Sequence, residues 1–208
     1  MQNLKDISEL VIVVDMINGF IKKGAMCDTS IGKIIPDMKK YLKNEKDKGH
    51  TIVFIKEAHD IDCVEFKKFP IHCVKGTQEA QIIEELKPFV DKTNVYEKNS
   101  TCALFAKDFL SDLSKMDKLK KINICGCCTD ICVLNLALPL VNYFDEKNLD
   151  INIEINKNLV ATFDADNHDA KNYSEMAFKL MQLNGVKVVD TKIESNVNHD
   201  EINFSRLI

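Results

Sequence analysis

The chain has 208 residues, 45% of them hydrophobic and 29% charged, enough for one sizeable buried core and typical of an ordinary globular protein. A formal net charge of −4 gives no general electrostatic basis for nucleic-acid binding, and no apolar run reaches the length needed to cross a bilayer. The short apolar run near the amino terminus is too brief for a signal-peptide core and has no small-residue cleavage site after it, so a cytoplasmic location is expected.

Leu10 to Val14 is an uninterrupted apolar, largely β-branched run, the pattern of a strand buried on both faces. Ile31, Ile34, Ile35, Met38, Tyr41 and Leu42 recur at helical spacing, and Gly49 is placed to end that helix. Thr51 to Ile55 reads as the second strand, and Ile82, Ile83 and Leu86 mark a short helix stopped by Pro88. A third strand ends near Tyr96, and Leu104, Phe105, Phe109 and Leu113 form the face of another helix. Ile122 to Cys125 is the fourth strand, followed by Gly126 and a helix beginning near Thr129. Ile151 to Val160 carries the fifth strand, a helix from about His168 to Leu183 ends at Gly185, and Val186 to Val189 makes the sixth. Such alternation predicts an α/β protein, a three-layer α/β/α arrangement with a six-stranded, mostly parallel sheet, in a single domain over residues 1–208. Ligands bind such sheets at the carboxyl ends of the strands, so chemistry is expected just after each one. The one long irregular segment, between Glu57 and Gln78, is of a length that is often functional.

Eight cysteines would suggest a disulfide frame in a small secreted protein, but this chain has no secretion signal and is long enough for a real core. Cys125, Cys127, Cys128 and Cys132 crowd together without paired Cys-x-x-Cys knuckles or an adjacent histidine, which speaks against structural zinc. Reduced thiols are the expectation. His50 and His199 have no partner signal and read as surface residues.

Three strand ends each deliver one reactive group: Asp15 after the first, Lys98 after the third, and Cys132 in the first turn of the helix after the fourth. A free thiol, with a pKa of about 8.5, is only a few per cent thiolate at neutral pH. A carboxylate can take its proton, and an ammonium and a helix N-terminus can stabilise the thiolate. Taken singly, Asp15 reads equally as a helix cap, Lys98 as a surface lysine and Cys132 as a small buried hydrophobe. A second constellation is Glu57-Ala58-His59, followed by Glu65 and His72. Residues 57 and 59 share a side if the second strand extends that far. Two imidazoles and two carboxylates suit a borderline-hard divalent ion, or else are solvated loop residues.

Together the local sequences are more specific. Val13-Val14-Asp15-Met16-Ile17-Asn18-Gly19-Phe20 resembles the first signature of the isochorismatase-like cysteine hydrolases. Gly126-Cys127-Cys128-Thr129-Asp130-Ile131-Cys132-Val133 is similar to their nucleophile segment, and Glu97-Lys98 supplies the lysine between. The resemblance runs from about Leu10 to Asp190, and the His168 segment and Gly185-Val186-Lys187-Val188-Val189 look like the closing helix and strand. Phe69-Pro70-Ile71-His72-Cys73-Val74-Lys75-Gly76-Thr77 resembles the segment that marks the nicotinamidase (pyrazinamidase) branch.

The resemblance implies a catalytic trio in which Cys132 attacks an amide carbonyl, Asp15 moves the proton to departing ammonia and Lys98 stabilises the thiolate. It also implies a cis peptide between Cys127 and Cys128, and an oxyanion hole from the backbone amides of Cys128 and Cys132. Glu57, His59, Glu65 and His72 would hold a divalent metal, zinc first, with manganese and iron as alternatives, to bind the pyridine nitrogen of nicotinamide. The implied reaction is deamidation of nicotinamide to nicotinate and ammonia through a thioester, as part of NAD salvage, in a homo-oligomer with neither nucleic acid nor membrane as partner. Departures from the pattern touch the pocket. Glu57 stands where aspartate is usual, Gly19 where aspartate is frequent, and Thr101 and Leu104 where aromatics are common, leaving Phe20 to stack on the ring in a less aromatic pocket. The rivals are hydrolysis of another small amide, ureido or N-carbamoyl compound, a non-catalytic binding module, and a redox or metal-storage protein built on the cysteines.

Overall fold

The structure, a computed structural model, describes residues 3–193; His199 lies outside them. Six strands, β1 (Glu9–Val14), β2 (Thr51–Glu57), β3 (Val95–Lys98), β4 (Lys121–Cys127), β5 (Asn152–Ala161) and β6 (Lys187–Val189), form one sheet in the order β3-β2-β1-β4-β5-β6. Every pairing is parallel. Helices α1 (Asn18–Ile21), α2 (Ile35–Asp47), α3 (Phe109–Leu113), α4 (Leu134–Glu146) and α5 (Ala170–Leu183) connect them. This is the layered α/β architecture the alternation predicts, with the sheet wholly rather than mostly parallel.

Side-chain alternation along β1 divides the core in two. Leu10, Ile12 and Val14 face one layer, where Leu136 and Leu140 of α4, Phe178 and Met181 of α5, and Phe109 of α3 close over them. Val11 and Val13 face the other, against Met38 and Leu42 of α2. A strand covered on both faces has no polar side to alternate, which is why Leu10 to Val14 reads as a continuous apolar run. No helix among the described residues is long and apolar enough to cross a membrane.

Three expected helices are shorter than their apolar stripes. The stripe from Ile31 to Leu42 begins as a 3-10 turn, Thr29–Ile34, and becomes α2 only where Pro36 sits in the first turn, a position that needs no N–H. Around Pro88 the chain forms a 3-10 turn, Glu84–Phe89, because proline cannot continue an α-helical ladder. The third stripe splits into a turn at Ala103–Phe105 and α3, with Asp108 between them at φ 66°, and its Phe105 is exposed. His50 is no free surface residue: its Nδ1 lies 2.6 Å from Oε2 of the buried Glu45.

β4 runs on through Gly126 instead of stopping at it. Gly126 has φ 117°, and a Cβ there would lie 2.0 Å from the Val14 carbonyl oxygen, so no other residue fits. This glycine lets β4 press against β1 just before the segment that carries Cys132, at the place where strand order reverses direction across the sheet. Open parallel sheets form their ligand crevices at such points.

Candidate active site

Because β3, β2, β1 and β4 are consecutive neighbours, residues at their carboxyl ends meet although they lie far apart in the chain. Asp15 leaves β1 at φ 52°, a left-handed conformation that aspartate tolerates better than most residues. Its amide donates to the Ile55 carbonyl at 2.9 Å, and its Oδ1 accepts from the Glu57 amide at 2.7 Å, so β2 fixes both ends of the residue. Lys98 is the last residue of β3, and its Nζ lies 2.8 Å from Asp15 Oδ2, 2.7 Å from Glu57 Oε1 and 3.7 Å from Cys132 Sγ. Cys132 sits in a π-turn, Thr129–Val133, between β4 and α4 rather than in the regular helix the sequence predicts. The peptide between Cys127 and Cys128 is cis. Asp15, Glu57, Lys98 and Cys132 are all buried.

One ammonium therefore serves two carboxylates and a thiol in a dry setting. Burial pushes Asp15 up to about 6, since Lys98 only partly offsets lost hydration and the nearby Glu57 charge adds to the rise. Burial likewise holds the Cys132 thiol well above its ordinary range, with Lys98 pulling the other way. For Lys98 burial favours the neutral amine, yet the charges of Asp15, Cys132 and Glu57 outweigh it and hold the ammonium well above its usual value. Burial opposes the Glu57 charge too, but Lys98 and two imidazoles keep that carboxyl well below the ordinary range. The resting site is thus a neutral thiol beside an ammonium, with a carboxylate poised to take its proton.

The second constellation assembles as well. Ligand atoms of Glu57, His59, Glu65 and His72 all lie within 4.8 Å of one another. The longer arm of Glu57 reaches both groups. While Oε1 meets Lys98, Oε2 lies 3.2 Å from His72 Nε2 and 3.3 Å from His59 Nε2. The His72 Nδ1–H donates to the Pro70 carbonyl at 2.7 Å, and the His59 Nδ1–H donates to Asn99 Oδ1 at 3.1 Å. That Asn99 oxygen also accepts from the Asp60 amide at 3.1 Å, which fixes the orientation of its side-chain amide. With both Nδ1 atoms donating, each neutral ring turns an Nε2 lone pair toward the Glu57 carboxylate. His59 Nε2 is buried without a hydrogen bond. In their neutral form the two imidazoles offer Nε2 lone pairs that converge with the Glu57 carboxylate, a donor set suited to a divalent cation in place of the proton that otherwise joins His72 Nε2 to Glu57. Burial alone would lower both imidazoles, but the Glu57 charge raises them above their ordinary value.

The pocket above Cys132 and His72 is more aromatic than Thr101 and Leu104 predict. Phe20, Phe69 and Phe163 line it, with Met26, Thr101 and Ile131. Phe66 adds an edge-on contact to His59 at 5.3 Å, and Phe20 and Phe69 lie 5.8 and 6.4 Å from the His72 ring. The rings come from α1 and from the loops after β2 and β5, so aromatics missing beside Lys98 are replaced from elsewhere in the fold. Leu104 packs in the core instead. Gly19 has a steric reason, since a Cβ there would lie 2.4 Å from Cys73 Sγ. Asn99, directly after Lys98, is a supporting residue the sequence reading passed over. All eight cysteines are free.

The isochorismatase domain model matches residues 9–193. Nicotinamidase 1 of Arabidopsis thaliana is 28% identical over 147 residues, which is 64% of this chain and 60% of that protein's length. Among solved structures, nicotinamidase PncA from Bacillus subtilis is 26% identical with a TM-score of 0.72, covering 88% of this chain and 100% of that one. Pyrazinamidase of Pyrococcus horikoshii, solved in complex with zinc, is 24% identical with a TM-score of 0.72, over 88% of this chain and 99% of that one. At that identity the last likeness concerns the fold alone.

Proposed function

The chain belongs to the isochorismatase domain family, and from that premise we propose that it deamidates nicotinamide to nicotinate and ammonia, with Cys132 as nucleophile. The observation that carries the reading is Glu57, whose two oxygens join the Asp15–Lys98–Cys132 group to the His59–His72 group beneath one phenylalanine-lined pocket. A thiol alone would serve many hydrolases. A thiol beside a metal-type donor set in an apolar, phenylalanine-lined setting favours a flat aromatic amide with a ring nitrogen.

In this reading Asp15 takes the Cys132 proton as sulfur forms a bond to the amide carbonyl carbon. Backbone N–H groups of Cys128 and Cys132 receive the developing oxyanion, a contribution typically worth about 10²–10³ in rate. Asp15 then gives its proton to the amide nitrogen, the C–N bond breaks and ammonia leaves, with the acyl group held as a thioester. Water adds to the thioester as Asp15 takes one of its protons, the C–S bond breaks as Asp15 returns that proton to sulfur, and the acid so formed loses its remaining acidic proton to solvent and departs as nicotinate. A carboxyl near 6 suits this shuttle, because a general base works best with a pKa close to the working pH. Lys98 stays charged throughout and stabilises each anion in turn. Glu57, His59, Glu65 and His72 would hold a divalent metal, zinc first, which when bound would supply a Lewis acid for a ring nitrogen. Phe20, Phe69 and Phe163 enclose the ring. A single domain over residues 1–208, a cytoplasmic location and a homo-oligomer go with this reading.

The test is ammonia release from nicotinamide, pyrazinamide, an N-carbamoyl amino acid and a simple ureido compound. We expect nicotinamide or pyrazinamide to be the best substrate and Cys132→Ala to be folded and inactive. Preference for the carbamoyl or ureido compound would overturn the substrate assignment, and full activity in Cys132→Ala would overturn the mechanism.

A further inference from the structure

His168 is held in a sandwich. Its ring stacks on Phe163 at 3.8 Å with an interplanar angle of 9°, and on Tyr173 of α5 at 3.9 Å with an angle of 28° on the other side. Both ring nitrogens face oxygen acceptors: Nδ1 lies 2.9 Å from the Phe163 carbonyl and Nε2 lies 2.8 Å from Asp130 Oδ2. Paired backbone hydrogen bonds between His168 and Ala165, at 2.9 and 3.0 Å, pin the residue from behind. The His168 and Asp130 side chains are only 13% and 11% exposed.

The placement of the two ends gives the arrangement a function. Asp130 lies in the π-turn that carries Cys132, two residues before it. Phe163 is a wall of the pocket. Asp130 Oδ1 is buried without a hydrogen bond, so among the described residues His168 is what satisfies this carboxylate through its side chain. π-turns are irregular segments common at functional sites and gain no support from a continuous α-helical ladder. An external tie from a rigid ring is a means of holding such a turn in place.

We propose that Asp130 and His168 are positioning residues that clamp the nucleophile turn to the aromatic wall of the pocket, setting the distance between Cys132 and the bound ring. This inference rests on Cys132 being the nucleophile and on this pocket being the amide site. The hydrogen bond holds the turn and governs how well sulfur is aimed. The stack backs Phe163 and governs how well the ring is gripped.

Separable variants test the two halves. His168→Phe keeps a three-ring stack and removes both side-chain hydrogen bonds, and Asp130→Ala removes the acceptor. Each is expected to lower kcat ten- to hundredfold with KM within about twofold of wild type. His168→Ala is expected to raise KM about tenfold in addition, with partial recovery in millimolar imidazole, which refills the slot between Phe163 and Tyr173. Asp130→Asn, which keeps an acceptor oxygen, is expected to stay within about threefold of wild type. Amide hydrogen exchange gives a readout independent of substrate. In His168→Phe and Asp130→Ala, exchange in peptides spanning residues 128–133 should quicken at least tenfold, while β1 and α2 match wild type. Unchanged exchange in that turn, a uniform rise throughout the protein, or a loss in Asp130→Asn as large as in Asp130→Ala would overturn the clamp. If wild type releases ammonia from none of the amides, the substrate reading fails, and the exchange result still decides the clamp.

Discussion

Asp15→Asn separates what this site needs for chemistry from what the fold needs for stability. Asp15 is fully buried and its carboxyl rises from 3.8 to about 6 on folding, an outcome that already includes the attraction of Lys98. At about 1.4 kcal/mol per tenfold change, ionising Asp15 in the folded protein costs about 3 kcal/mol more than in the unfolded chain. A group with a raised folded pKa contributes stability that is fully present below its unfolded value and is lost as pH rises through its folded value. The window here runs from about pH 4 to pH 7. Asparagine keeps the bond that Oδ1 accepts from the Glu57 amide, and Lys98 keeps Glu57 as partner, so no buried charge is stranded. Its amide faces the Lys98 ammonium as a second donor, an offset of about 1–3 kcal/mol, but that offset does not change with pH. The predicted quantity is therefore a slope. In urea titrations of metal-free protein, Asp15→Asn should gain about 3 kcal/mol relative to wild type between pH 4 and pH 7.5 while losing nearly all activity. A difference that stays flat across that range, or runs the other way, would refute the electrostatic reasoning.

The same carboxyl should shape the rate: kcat/KM for the best amide is expected to fall about tenfold per pH unit below about 6 as Asp15 becomes protonated, and a profile flat to pH 5 would remove it as the base. Asn99→Ala should weaken zinc binding 10- to 100-fold by freeing the Nδ1 of His59, measured by competition with a chromogenic chelator; unaltered affinity would show that the Asn99 contact does not orient that ring. Gly126→Ala should yield little folded protein, because its Cβ would meet the Val14 carbonyl oxygen at 2.0 Å in the centre of the sheet; a well-folded variant by circular dichroism would contradict that packing.

What the sequence discloses here follows from how local each cause is. The strands are legible because burial on both faces leaves an unbroken apolar signature, and the residues just beyond β1, β3 and β4 can be named once the sheet is inferred. Asp15, Lys98, Cys132, Glu57, His59, Glu65 and His72 are brought together at the positions anticipated for them. Features made by contacts between distant segments were not legible. Asn99 meets His59 across 40 residues, and Asp130 meets His168 across 38. Phe69 and Phe163 reach the pocket from loops whose course no periodicity describes, so a pocket judged from Thr101 and Leu104 alone came out too poor in rings. The π-turn around Cys132 carries the same apolar spacing as the helix after it, and only the backbone distinguishes the two.

Cys63 has a practical bearing on chemical labelling. Its sulfur lies 3.4 Å from the Nδ1 of His59 and is partly exposed, whereas Cys132 is buried with its thiol held well above the ordinary range. An alkylating reagent will thus reach Cys63 before Cys132, and a bulky adduct there will push His59 out of alignment with Glu57. Inactivation by such a reagent therefore has a route through Cys63. Cys63→Ser closes it, and with the other partly exposed cysteines, Cys27 and Cys102, also replaced, the residual rate of inactivation reports on the buried thiols, Cys132 among them.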